Sequence, residues 1–343
     1  MAERVQARGP GRVNLIGEHT DYNDGLSLPF AIDRGVTVTA EPLGGDRVVA
    51  RALDLGEEDE FPLAGPGQAD GWRAFVRGAV GELTAAGHTL RPCRLAIESD
   101  LAQGVGLSSS AAMETALCLA LLAVAGEDEP ADRRDLAKLC SRIENDWVGA
   151  ETGLLDQIAS LCSEPGHAVR IDFATLAVEP VPLDLGDWSL VTLDSGATHS
   201  LADSEYNVRR RECREACEAL GIASLREARL ESVEELPDPL RGRARHVVTE
   251  NARVDATIAA LRAGDLEAVG RLLDEGHASL RDDYAASVPE VERTVERLKD
   301  AGAAGARMVG GGFGGAVLGL LRPGAGVPAG AIAVAPGGPA ALV

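Results

Sequence analysis

The stretch from Gly11 to Pro29 reads GRVNLIGEHTDYNDGLSLP and gathers Arg12, Glu18, His19, Asp21 and Asp24 among glycines at 11, 17 and 25. Neither an amphipathic helix nor a plain strand needs polar groups this dense. Glycine permits positive φ and close backbone approach, so the pattern suits a loop wrapped around a polyhydroxylated ligand. The carboxylates and the imidazole offer acceptors and a donor to neighbouring hydroxyls, and Arg12 offers a fixed cation. A polar surface turn is the alternative reading of this segment taken alone.

A second loop, Gly104, Val105, Gly106, Leu107, Ser108, Ser109, Ser110, leads into the helical run AAMETAL. A strand feeding a Gly/Ser loop that opens a helix presents unpaired N–H groups at the positive end of the helix dipole, which is a phosphate site. The GK[ST] ending of a Walker A loop is absent, and the spacing is not GxGxxG. Serine hydroxyls there can donate to phosphate or reach magnesium; a serine N-cap on a core helix is the competing explanation.

A third loop, GGGFGG over Gly310 to Gly315, joins two apolar runs. Five glycines are costly in chain entropy as a mere connection, so close approach to a ligand or another backbone is expected, with a wide turn or bulge as the alternative. Between the second and third loops, ENDWVGAETGLLDQ carries Glu144 and Asp156, with Gly149 and Gly153 interrupting the helical pattern. A chain reversal there brings both carboxylates to one cleft, one beside a metal and one beside a hydroxyl. Phosphoryl transfer asks for little more than positioning and charge neutralisation. Glu144 alone also fits a surface salt bridge, whereas Asp156 sits in the apolar frame of Leu154, Leu155 and Ile158.

The 343 residues suit two domains or one large interleaved unit. With 54 acidic residues against 33 basic ones, the surface repels nucleic acid and anionic membrane, and neither is expected as a partner. The N-terminal segment MAERVQARGP lacks the apolar run of a secretory signal and no run of 18 uncharged apolar residues occurs, so a cytoplasmic protein is expected. Cysteines at 93, 118, 140, 162, 213 and 217 lack CxxC spacing and read as reduced structural thiols.

The elements that must position these loops follow from periodicity. Residues 36–40 and 48–52 read as a hairpin across Gly44, Gly45 and Asp46, followed by a connection over 55–70. Helices are expected over 72–86, 109–125, 131–148 and 154–163, with a strand over 93–99 and two strand-like runs, AVRIDF and WSLVTL, within 168–194. Further helices over 204–219, 240–263, 266–277 and 289–301 precede paired strands at 305–309 and 316–321. The last 20 residues give no assignment.

GRVNLIGEHTDYN, GLSSSA and GGGFGG, in this order, resemble the GHMP kinase superfamily, and the first run is similar to its galactokinase branch. SEYNVRRRECREA at 204–216 and HASLRDDY at 277–284 extend the resemblance over nearly the whole chain. It implies an α+β (mixed α/β) two-domain GHMP kinase fold. An N-terminal ribosomal-protein-like domain over 1–185 and a C-terminal ferredoxin-like domain over 186–343 would hold the active site between them. It also implies transfer from ATP to the anomeric hydroxyl of galactose, with Mg2+. On that resemblance Asp156 is the catalytic aspartate and Arg12 stands beside it, while Glu18, His19, Asp21, Gly153 and Tyr206 contact the sugar. Gly104, Gly106, Ser108 and Ser109 hold ATP phosphates, Ser108 and Glu144 hold magnesium, and Trp72 and Phe75 lie towards adenine. The stretch QGVG departs from the richer glycine run usual before GLSSS. A kinase of the same type for arabinose, N-acetylgalactosamine or a uronic acid, and a non-catalytic sugar sensor, remain alternatives; a monomer or weak homodimer is expected.

Overall fold

A computed structural model describes residues 4–101, 106–150, 152–197 and 202–343. Strands β1 (Val5–Asn14), β2 (Leu26–Ser27), β3 (Pro29–Pro42), β4 (Arg47–Ala52) and β5 (Glu57–Pro62) come first. Helix α1 (Trp72–Ala85), strand β6 (Cys93–Ser99), helices α2 (Ser109–Ala125) and α3 (Arg133–Arg142), a π-helical segment Ile143–Val148 and helix α4 (Leu155–Cys162) follow. The chain continues through β7 (His167–Asp172), β8 (Ala177–Pro182), β9 (Ser189–Asp194) and α5 (Ala202–Leu220). Helices α6 (Leu230–Val233), α7 (Leu240–Ala263), α8 (Leu266–Asp282) and α9 (Pro289–Asp300) lead to β10 (Ala303–Met308), β11 (Ala316–Leu321), β12 (Ile332–Val334) and β13 (Ala341–Leu342).

A six-stranded sheet runs in the order β13-β1-β3-β6-β4-β5, a second sheet β10-β11-β9-β12, and a third β2-β7-β8. The expected hairpin between 36–40 and 48–52 does not form: β3 pairs with β6, and β4 lies on the far side of β6, parallel to it. A parallel neighbour needs a crossover, and α1 lies on that crossover, so the glycine turn links strands that never touch. The segment 55–70 is not a plain connection either. Its β5 is an edge strand that buries Asp59 and Phe61 and exposes Glu58 and Glu60, a charged alternation that hides a strand from a hydrophobic scan. Between the two expected strands of 168–194 stands β8, whose Pro180 and Pro182 suit an edge. The single helix expected over 131–148 is α3 continued by the π-helical segment.

Helix α2 is buried almost all round, as its apolar composition demands. Leu117, Leu121 and Leu122 are each no more than 1% exposed, and full burial of such a side chain contributes roughly 1.5–3 kcal/mol. Ser108, the first of the three serines in the second loop, immediately precedes this helix. No helix among the described residues is long and apolar enough to cross a membrane. All six cysteines are free thiols.

Candidate active site

Arg12 stands on β1 where the register with β3 shifts between Pro10 and Arg12, an irregularity that re-aims a strand side chain. Its backbone N–H donates to Leu107 O at 3.1 Å, and its Nη1 donates to Gly106 O at 2.8 Å. The same guanidinium places Nε 2.8 Å and Nη2 2.7 Å from Asp156 Oδ1. Asp156 lies in the first turn of α4, and its Oδ2 accepts the hydroxyl of Ser108. Ser108 precedes α2 in left-handed conformation, φ 57°, and makes no capping bond. The serine N-cap explanation therefore does not describe this residue: its hydroxyl donates to the carboxylate, and its oxygen accepts no backbone N–H of the helix.

Two cavities of about 240 Å3 each meet at this pair. One is lined by Glu18, His19, Asp21, Gly153 and Tyr206, the other by Gly106, Ser108, Ser109 and Ser110, and Arg12, Asp156 and Gly310 to Gly312 line both. The residues expected to hold sugar and those expected to hold phosphate thus occupy adjoining hollows. Gly104 lies outside the described residues. Trp72 and Phe75 line neither cavity; Trp72 Nε1 donates instead to Glu57 Oε2 at 2.9 Å.

The first hollow is built on buried charge. Arg307 Nη2 lies 2.5 Å from Glu18 Oε2 as an ion pair, and Gly310 N donates to Glu18 Oε1 at 3.1 Å, so sugar loop and glycine loop are tied together. Burial raises Glu18 to about 7 against the pull of Arg307. Burial also works to raise Glu250, yet Arg253 and Arg307 hold it at about 2. His19, in left-handed conformation, is kept neutral by burial and by the nearby His246, and its Nδ1 shares a 2.7 Å hydrogen bond with Tyr22, which bonds Tyr284 in turn. Burial lifts Asp21 to about 6, with Asp156 adding to the rise. A Cβ on Gly153 would come 1.9 Å from Asp21 Oδ2, which is why glycine stands there. At Gly312 a Cβ would come 2.6 Å from Ala286 O, so the third loop packs against backbone as well as facing the cleft.

Behind Ser110, which lines the second hollow, two buried glutamates lie close together, though Glu144 and Glu114 themselves line neither cavity. Glu144 is 7% exposed on the π-helical segment and accepts Thr152 Oγ1 at 2.9 Å and Gln157 Nε2 at 2.8 Å on Oε2, with a further bond from the Ser110 hydroxyl. Trp147 anchors that segment to α1 by filling the slot over Gly78 and Gly81, where any Cβ would meet its ring. Gln157 Nε2 also reaches Glu114 Oε2 at 3.1 Å. Burial, then the neighbouring Asp156, raises Glu144; burial, then Glu144, raises Glu114 well above the usual range. Among the described residues no ion pair reaches either glutamate, so the surface salt bridge considered for Glu144 is not observed. Uncompensated buried carboxylates beside serine hydroxyls fit a hard divalent cation. Among the described residues no three His, Cys, Asp or Glu side chains converge to hold an ion unaided.

Four contributors were not singled out from sequence. Arg307 sits in the apolar run AAGARM, where only its distant partners explain it, and Gln157 is merely the neighbour of Asp156. Glu114 stands out in the sequence only as a polar residue within an otherwise apolar helical run. Asn14 lines the first cavity with its amide unpartnered; its position two residues after Arg12 on a strand was the available signal.

Three family models match the chain: the galactokinase galactose-binding signature over residues 2–42, the GHMP kinases N terminal domain over 74–164 and the GHMP kinases C terminal model over 257–329. The chain is 41% identical over 322 residues to a galactokinase of Thermotoga neapolitana, covering 94% of this chain and 90% of that protein. It is 44% identical over 324 residues to a galactokinase of Mycobacterium tuberculosis, covering 92% and 89%. A crystal structure of Lactococcus lactis galactokinase complexed with galactose superposes with a TM-score of 0.92 at 33% identity, covering 99% of this chain and 95% of that one. A mevalonate kinase crystal structure, at 16% identity and a TM-score of 0.66 over 93% and 91%, shares the fold.

Proposed function

The chain belongs to the galactokinase family of the GHMP kinases and is an ATP-dependent galactose kinase, and we propose that Asp156 and Arg12 carry the transfer to the anomeric hydroxyl. The observation that supports this division of labour is the Arg12–Asp156 contact at the junction of the two cavities. Galactose lies in the first, held by Glu18, His19, Asp21, Tyr206 and the backbone at Gly153. The triphosphate lies in the second, against the N–H groups of Gly106, Ser108 and Ser109; Gly104 is assigned to the phosphates by resemblance alone.

Asp156 accepts a hydrogen bond from the anomeric hydroxyl and aims its oxygen at the γ-phosphorus. As the new P–O bond forms, the bond to the β-phosphate oxygen breaks and ADP leaves; the hydroxyl proton passes to Asp156. Arg12 fixes Asp156 and places positive charge beside the equatorial oxygens of the transferring group. Ser108 and Glu144 would hold Mg2+, which when bound neutralises charge on the β- and γ-phosphates. Gln157 and Thr152 keep the Glu144 carboxylate oriented. We read residues 1–185 as the domain bearing the sugar and phosphate loops and 186–343 as the domain closing the cleft. The enzyme would work in the cytoplasm, as a monomer or weak homodimer.

An ADP-release assay over a panel of sugars tests the acceptor. Galactose is expected to turn over best; turnover of arabinose, N-acetylgalactosamine or a uronic acid with galactose inert would overturn the reading. Binding of galactose and ATP without ADP release would identify a sensor.

A further inference from the structure

Asn14 ends β1 and is 1% exposed, yet neither its Oδ1 nor its Nδ2 has a hydrogen-bond partner among the described residues. It lines the first cavity beside Arg12, Glu18 and His19. A buried amide with both ends open is a net cost to the unliganded fold. An apolar side chain of similar shape would remove that cost, so the carboxamide serves something other than packing. Its acceptor and donor match a sugar hydroxyl, which can give one hydrogen bond and take another. His19 Nε2, also buried and unpartnered, lines the same cavity. The hollow therefore offers polar atoms that a polyhydroxylated ligand can satisfy.

We propose that Asn14 is a sugar-reading residue, whose amide becomes satisfied only when a hydroxyl, or an adjacent pair, of the bound hexose reaches it. This rests on the reading that the first cavity holds the sugar. The expected discrimination follows the general rule that a site built to hydrogen-bond a hydroxyl strongly rejects the analogue lacking it.

The test is calorimetry of galactose and its monodeoxy analogues, without nucleotide, on the wild-type protein and on Asn14→Leu and Asn14→Ala. Galactose affinity should fall about 10–100-fold in both variants, the range expected when a buried polar contact is lost. The unliganded Asn14→Leu protein should melt no lower than wild type. One monodeoxy analogue should bind wild type weakly and suffer no further loss on Asn14→Leu. Affinity within about twofold of wild type, or an unchanged deoxy-sugar pattern, overturns the inference. A melting temperature that falls in Asn14→Leu with the deoxy pattern intact assigns Asn14 a structural role and overturns it too. Should Asn14→Leu fail to fold, Asn14→Ala decides by the same deoxy pattern. Wild-type protein that takes up no galactose sinks the functional reading instead, so the two failures are distinguishable.

Discussion

Arg12 and Asp156 are 144 positions apart along the chain and approach to 2.7 Å where the two cavities join. Both oxygens of Asp156 are already engaged, one by Arg12 and the other by Ser108. Its rotamer is thereby set before any substrate arrives, which is the pre-organisation that in-line transfer requires.

Ser108 holds this carboxylate from a left-handed backbone, a conformation that costs a non-glycine residue about 1–2 kcal/mol. Ser108→Ala and Ser108→Gly should both lower kcat, because both lose the hydroxyl. Ser108→Gly should melt above Ser108→Ala, because only glycine escapes the strain. Steady-state kinetics with thermal melts check this; normal kcat in either variant removes the hydroxyl from the mechanism.

Gly153→Ala should act on sugar binding. The new Cβ would fall 1.9 Å from Asp21 Oδ2 and push that carboxylate out of place. A misplacement of this order in a site can cost about 100-fold. The KM for galactose should rise with the KM for ATP little changed; equal effects on both would point to general distortion.

Gln157 divides one amide group between Glu114 and Glu144. Replacing it with Met keeps volume and removes both bonds. If Glu144 holds the metal as proposed, losing such an outer partner weakens metal affinity about 10–100-fold. The free Mg2+ concentration for half-maximal rate should rise accordingly, and direct Mn2+ binding should weaken in step. An unaltered metal requirement would separate Glu144 from the cation.

Glu18 predicts a pH dependence of stability. Its folded pKa, about 7, lies above the ordinary 4.5, so its contribution is whole below about 4.5 and is lost as pH rises through 7. Asp21, raised from 3.8 to about 6, acts with the same sign. His246, lowered from 6.5 to about 4, acts with the opposite sign, losing stability as pH falls. The difference between wild type and Glu18→Gln isolates the first group. Wild type should lose melting temperature relative to the variant between pH 4.5 and 8; parallel profiles would contradict the burial of an ionisable carboxyl at this position.

The chemistry was more legible in this sequence than the sheet. Loops at 11–29, 104–110 and 310–315 advertise themselves because glycine and clustered polar side chains are local signals. Helix α2 did so through a composition that is apolar almost throughout, Glu114 excepted. The pairing of β4 with β6 depends on residues more than forty positions later, which no turn signal encodes. Charged β5 and proline-bearing β8 fail the usual strand criteria because edges tolerate what central strands do not. Nothing in its local sequence singles out Arg307; its meaning lies in Glu18 and Glu250, which reach it only in the folded chain. Asn14 sat inside the most informative motif, but its lack of a partner is a property of three dimensions alone.

The most direct measurement is phosphorylation of galactose by Asp156→Asn, followed by 31P NMR with binding of both substrates checked by calorimetry. Wild type should yield galactose 1-phosphate. The variant should bind galactose and ATP, melt near wild type and turn over at least about 100-fold more slowly, the low end of what a positioned acid–base group supplies. Near-normal turnover in that variant would contradict the role given to the Arg12–Asp156 pair.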